Sequence, residues 1–372
     1  VYIQSGKAIN VYGGNNQGGT TTTTNIKIQG GNIENAYGGG EKAETTTSNI
    51  EVIGGFINNL YGGGNQAGVS TTNVKIKKGN IGILFGGSNI NGNVKQSYIS
   101  TGDENESQLI IDTIYGGNNR GGVTETTNIT INDGNIKNVY GGGNQAITNV
   151  TNVNINGNIE NSVYGGGNQA RVNTDTNLSL TNAIVNNNVY GGGNEGEVKG
   201  NTFVYVKNTK LNNSLYAGGN GTTAIVYGNT NLYIHGTEND IKNSVFGGGN
   251  KAATGNADNE NSTSTVNIVG ATIGKNVYGG ANTSVVYGTT KTNIGYDAVK
   301  NQTLEKGKIQ IQGTVFGGGE ANDAGSEIYD FSFISVTKGI DIEIDGNGYD
   351  KFEIKGSIFG SGNASSAKGE SN

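Results

Sequence analysis

Proline is absent from all 372 residues, as are cysteine, methionine and tryptophan. Average usage of about 5% would place roughly 19 prolines in a chain of this size. Their absence, beside 67 glycines, excludes collagen, which needs both residues. Without cysteine there are no disulfides and no thiolate metal site. Charge is scarce too, at 15% of residues, and Arg120 and Arg171 are the only arginines. With a net charge of −6, that argues against nucleic acid as a partner. No apolar run is long enough to insert into a membrane. Yet 32% of residues are hydrophobic, more than an intrinsically disordered chain of high charge carries. The lack of methionine implies that Val1 is not a translation start, so a processed piece with any signal peptide outside it is expected.

What is abundant is glycine, asparagine (59 residues) and threonine, and they recur with a period. An aliphatic–aromatic–Gly-Gly signature appears thirteen times, at Tyr12, Tyr37, Tyr61, Phe85, Tyr115, Tyr140, Tyr164, Tyr190, Tyr216, Phe246, Tyr278, Phe316 and Phe359. The early spacings are mostly 24 to 26 residues, and later ones stretch to 30, 32, 38 and 43. Such a period indicates a solenoid. Within it, pairs such as Ile26/Ile28, Val74/Ile76 and Ile129/Ile131 alternate with polar residues, the period of a strand. No stretch carries a helical apolar stripe. The expected fold is therefore all-β: a right-handed parallel β-helix of about 13 coils, about 25 residues and three short strands per coil. At about 4.8 Å per coil, it would be roughly 60 Å long. Nearly every strand N–H must then donate to a neighbouring coil, which accounts for the missing proline. A continuous solenoid is expected over residues 1–363, with regular coils over 1–220 and insertion-bearing coils over 221–363, followed by a linker or tail at 364–372.

Repeat positions predict ladders. The residue before each aromatic is aliphatic, and neighbours in a strand face opposite ways, so one column points in and the other out. We expect the aliphatic inside and the Tyr hydroxyls at water. The fourth residue after the aromatic is Asn16, Asn65, Asn89, Asn119, Asn144, Asn168, Asn194, Asn220, Asn250, Asn282 or Asn363, with Glu41 and Glu320 as exceptions. Stacked amides bond along the axis, which marks these as structural residues. A second column runs through Asn25, Asn49, Asn73, Asn128 and Asn152. The glycines after the aromatic are expected because side chains would clash and, at the third position, because the corner is left-handed. Lys27, Glu51 and Lys75 share one position in successive coils, where alternating sign opposes a slip in register. The Thr-rich links are expected at an exposed corner.

Departures from the repeat are the candidate binding loops. One insertion carries Asp103, Glu104 and Glu106; another carries Asp258 and Glu260. Oxygen ligands of this kind suit Ca²⁺, but neither an EF-hand nor a calcium β-roll spacing is present, so no metal site and no cofactor is expected. Asp341, Glu343 and Asp345 alternate along one strand face and could flank Glu353. Hydrolysis on a β-helix needs paired carboxylates on adjacent rungs, and no other pairing of that kind stands out. No catalytic residue is expected, and the chain is read as a non-enzyme.

The repeated N-V-Y-G-G-G-N-Q-A units resemble those of repeat-rich secreted and surface proteins of bacteria, the group of β-solenoid adhesins and autotransporter-like passengers. Phage tail fibres share the architecture. The resemblance implies an extracellular structural or adhesive rod on a bacterial surface, with a cell-surface glycan or protein as partner. Two alternatives follow from the residues. One is a β-helix that binds or cleaves carbohydrate, with Tyr205 and Tyr233 in a groove. The other is a filament subunit that stacks end to end through uncapped strands.

Overall fold

Short alternating segments separated by glycine cannot each bury an apolar face alone, and the chain solves this by laying every segment beside its equivalent one repeat away. In the computed structural model the described residues are 1–102, 108–295, 306–320 and 334–372. Among them there is no helix. The strands pair in parallel as a β-solenoid of about 11 turns. The chain divides into two compact units, Val1–Thr174 and Asp175–Asn372.

In the first unit the register is set residue by residue. Asn25, Ile26, Lys27 and Ile28 of strand Thr21–Ile28 lie beside Asn49, Ile50, Glu51 and Val52 of strand Thr45–Tyr61. These in turn lie beside Asn73, Val74, Lys75 and Ile76. Two strand segments make most coils here, and in Thr45–Tyr61 and Val69–Phe85 they fuse into one bent strand of 17 residues. In the second unit a coil has three, as in Thr202–Lys207, Lys210–Leu211 and Leu215–Tyr216. Residues 364–372, expected as a linker, place strand Ser366–Ala367 beside Ile334–Val336, and the Ile340 amide donates to the Glu370 carbonyl.

Each unit encloses columns of aliphatic side chains. Ile33, Ile57, Ile81, Ile111 and Ile136 form one in the first unit, and Leu211, Ile241, Ile273 and Ile311 its counterpart in the second. The aliphatic before the aromatic is also buried, from Ala36 to Val163 and from Val189 to Val315. The aromatics differ from expectation in degree. They lie on the opposite side of the strand, yet Tyr37, Tyr61 and Phe85 are as enclosed as core residues. Each ring is covered by the rings above and below, with centroids 4.7–5.1 Å apart in the first unit. That spacing follows from the strand separation and falls where aromatic pairs attract.

The glycine corner has a different basis from the left-handed turn the sequence suggested at its third position. None of the signature glycines has a positive φ. A Cβ on Gly38 would instead collide with the carbonyl oxygen of Gly62, and one on Gly62 with that of Gly86. Third-position Gly64 would meet the Gly40 carbonyl at 2.7 Å. Where Asn118 replaces this glycine, its amide is fully buried and bonded to the carbonyls of Gly92 and Gly121 at 2.8 and 2.9 Å. Left-handed residues occupy the corner before the aromatic strand: Gly31, Gly55 and Gly134 (φ 97°, 94° and 118°), with Asn182 and Asn208 (φ 54° and 51°) in the second unit.

The Thr-rich links are not wholly exposed. One hydroxyl per coil points inward and donates to the carbonyl of the first signature glycine. Thr24, Thr72, Thr127 and Thr151 do so at 2.6 Å in the first unit. Thr176 reaches the Gly191 carbonyl and Thr202 that of Ala217, also at 2.6 Å, in the second. Ser48, Ser97, Ser264 and Thr290 play the same part. The hydroxyl supplies a partner that the backbone bonds of the corner do not. Thr230 is the exception: its buried hydroxyl has no partner. The preceding rung is the one where Ala217 replaces the first glycine beside Gly247; at the equivalent Gly38 an added Cβ would meet the inward hydroxyl of the next rung, Ser48, at 2.8 Å. Replacing a bonded hydroxyl by methyl leaves a buried carbonyl unpaired, so Thr72→Val should lower unfolding free energy by about 1–3 kcal/mol. Thr230→Val should be neutral or stabilising; equal losses in denaturant titrations of the two variants would contradict this assignment.

Candidate functional site

The stacked rings of the first unit form the floor of a groove of about 500 Å³, lined by Tyr37, Tyr61, Phe85 and Tyr115. Its walls are asparagines, placed there by the corner geometry. One wall is the fourth-position column. Asn65 donates to Glu41 at 2.9 Å, Asn89 to Asn65 at 2.8 Å, Asn119 to Asn89 at 2.9 Å and Asn144 to Asn119 at 3.0 Å. Asn168 continues it, donating to Asn144 at 2.8 Å. The other wall lies two residues before the aromatic: Asn35 donates to Asn10 and Asn59 to Asn35, both at 3.0 Å. Of the two walls, only the first follows from the ladder expected at the fourth position; the second is written in the sequence as the repeated Asn of I-x-N-x-Y, next to an aliphatic that faces the core.

An asparagine amide offers two N–H donors and two carbonyl lone pairs, and the axial ladder engages one of each. Of the rest, Asn89 gives its second N–H to the Tyr37 hydroxyl at 3.5 Å and Asn119 bonds to the Tyr61 hydroxyl. Glutamate only accepts, so it ends a ladder. Glu41 takes hydrogens from Asn65 and from the hydroxyl of Tyr12. The second unit repeats the device: Asn220, Asn250 and Asn282 each donate one rung back, at 2.8–3.0 Å. Glu320 there accepts from Asn363 and from the Tyr278 hydroxyl. Its rings from Tyr190 through Tyr216, Phe246, Tyr278 and Phe316 to Phe359 stack as well.

The second asparagine column bonds in the same way, Asn49 to Asn25 at 3.0 Å and Asn73 to Asn49 at 2.9 Å. Beside it Glu51 bridges Lys27 and Lys77 at 3.0 and 3.1 Å. Those ammonium groups hold the Glu51 carboxyl below the usual range. The pair Tyr205 and Tyr233, expected to face a carbohydrate, stack on one another at 5.0 Å, so each covers a face of the other.

The acidic candidates do not converge. Asp103, Glu104 and Glu106 lie outside the described residues. Asp258 is exposed on a turn whose amides donate to the Asn256 side chain, and Glu260 follows on the same loop. Asp341 lies beside Lys291 and Glu343 beside Asn293 in the strand register. Asp345 accepts from the amide of Asn347 at 2.9 Å. Glu353 sits on a different strand pairing, next to Gln310. Among the described residues no group of three His, Cys, Asp or Glu side chains could hold a metal ion.

No protein-family model, curated protein or solved structure matches the chain. The reading of function therefore rests on the residues and their arrangement.

The groove's own electrostatics are testable. Burial pushes the Tyr61 phenol up from 10.0 to about 12, with Tyr37 adding to the rise and Arg120 and Asn119 opposing it. Burial also raises Tyr115 and Tyr140. A phenol with a raised folded-state pKa stabilises the fold below its unfolded value, and that stability is lost as pH rises through the folded value. Stability should thus fall between pH 10 and about 12, and phenolate absorbance should show a class of tyrosines ionising only above pH 10. Titration of all tyrosines together near pH 10 would contradict the buried ladder.

Proposed function

We propose that this chain is an extracellular structural or adhesive solenoid of a bacterial surface, and not an enzyme. The observation that carries the reading is where the polar side chains go. Asparagine amides, tyrosine rings and threonine hydroxyls are directed along the axis or into the corners, each bonded to its equivalent or to backbone. A catalytic site requires unlike groups converging on one point. Here like groups are spread evenly, which is how a repeat protein gains stiffness and extended surface. The absence of cysteine and methionine leaves no thiol or thioether to oxidise, which suits life outside the cell. The resemblance of the repeat to bacterial surface β-solenoids supports the same reading.

A second reading, carbohydrate binding, is favoured by one observation: the amide-walled groove of the first unit. It is compatible with an adhesive role. Antibody raised against the chain should label intact cells of the source organism, and a panel of polysaccharides should show no turnover. Labelling only after lysis, or release of oligosaccharides, would overturn the reading.

A further inference from the structure

The walls and floor of the first unit's groove carry polar groups except at one rung, and there three positions turn apolar together. Ile83 stands in register between Asn59 and Thr113, where the wall is otherwise polar. Phe85 stands between Tyr61 and Tyr115, so the hydroxyl is missing there. Ile90 follows the wall residue Asn89, as Gln66 follows Asn65 and Arg120 follows Asn119. Its side chain is 41% exposed, although the neighbouring rungs carry a polar residue at that position. A buried apolar rung would be core packing. Here Phe85 is buried, but Ile83 is only part-buried and Ile90 is exposed, and both isoleucines line the groove.

Polar groups frame it on each side. Asn59 and Asn65 keep a donor and an acceptor apiece beyond their ladder bonds, while the second N–H of Asn89 reaches the Tyr37 hydroxyl at 3.5 Å and Asn119 bonds to the Tyr61 hydroxyl. Arg120 lines the same groove one rung on, and its guanidinium makes no hydrogen bond or ion pair with a described residue. Its charge is felt at the Tyr61 hydroxyl. The ring faces are occupied by one another at 4.9–5.1 Å, so a ligand meets ring edges and the two isoleucines.

We propose that this rung is a binding site for an acidic oligosaccharide laid along the groove. The C–H face of one sugar ring packs on Ile83 and Ile90, beside the edge of Phe85. Its hydroxyls and those of its neighbours bond to the flanking amides, and a carboxylate pairs with Arg120. An extended pyranose chain advances by about one strand spacing per residue, so each ring lies over about one rung of the wall. The groove volume is within the range of about 300–1,000 Å³ found for ligand sites. A planar guanidinium binds carboxylate through two parallel hydrogen bonds, which gives the site its preference for acid. The proposal does not depend on cell-surface location: it would hold for a secreted solenoid of any role.

The test is calorimetry on the whole chain with tetragalacturonate, its carboxyl-reduced neutral counterpart and poly-glutamate. Tetragalacturonate should bind most tightly, with an affinity that falls as salt is raised. Arg120→Gln should weaken it by about tenfold or more while leaving the neutral tetramer unchanged. Because Tyr, Asn and Gln occupy the equivalent positions of adjacent rungs, the triple change Ile83→Asn, Phe85→Tyr, Ile90→Gln regularises the groove without disturbing the coil. It should abolish binding of both sugars with the unfolding midpoint preserved. No binding by the unaltered chain at millimolar tetragalacturonate would overturn the proposal. So would unchanged binding by the triple variant, or tighter binding of poly-glutamate, which would make the groove a peptide site instead.

Discussion

Parallel backbone pairing between successive coils, in strict register, is the constraint from which the rest follows. It sets every residue beside its equivalent at one strand spacing, so each column must be compatible with itself. Amides can bond to amides, rings can stack on rings, and aliphatics can pack on aliphatics. Like charges cannot, which is why charged residues are few and why Lys27 lies beside Glu51 rather than beside another lysine. Proline cannot donate to the next coil, and none is present. The composition that first excluded collagen and disorder is thus the residue set that tolerates self-stacking.

The same constraint creates the protein's tightest point. The corner after the aromatic turns a glycine carbonyl inward, where a neighbouring Cβ would strike it and where no corner N–H reaches it. Glycine removes the clash, and a threonine or serine from the facing strand closes the carbonyl. The two columns therefore belong together. Ala217 enters the glycine column with its own carbonyl still met by Thr202, and it is on the next rung that the hydroxyl, that of Thr230, is left unpaired.

The architecture was readable from the sequence because it is written many times over: the aromatic signature, the period-2 aliphatics and the asparagine columns each repeat. Three things were not. The inward hydroxyls were hidden among exposed threonines, since Thr23 and Thr24 look alike in sequence while only Thr24 is buried. Which glycines are left-handed was also hidden: Gly31 and Gly38 differ in φ, not in identity. The groove escaped because its walls are two columns some distance apart in each repeat, brought together only by the corner between them. The informative irregularity is not an insertion or an acidic cluster but a rung of ordinary length whose residues change character.

Function in such a chain is confined to breaks in the repetition, because a column that satisfies itself offers an incoming ligand only its spare hydrogen-bonding capacity. The central claim is that self-stacking at the glycine corner holds the solenoid, and substituting two glycines tests it most directly. Gly62→Ala puts a methyl against the Gly86 carbonyl, whereas Gly18→Ala meets nothing within 4 Å. Denaturant unfolding should show Gly62→Ala destabilised by about 1–3 kcal/mol, with Gly18→Ala unchanged or slightly stabilised through its less flexible unfolded chain. Equal stability of the two variants would contradict the account.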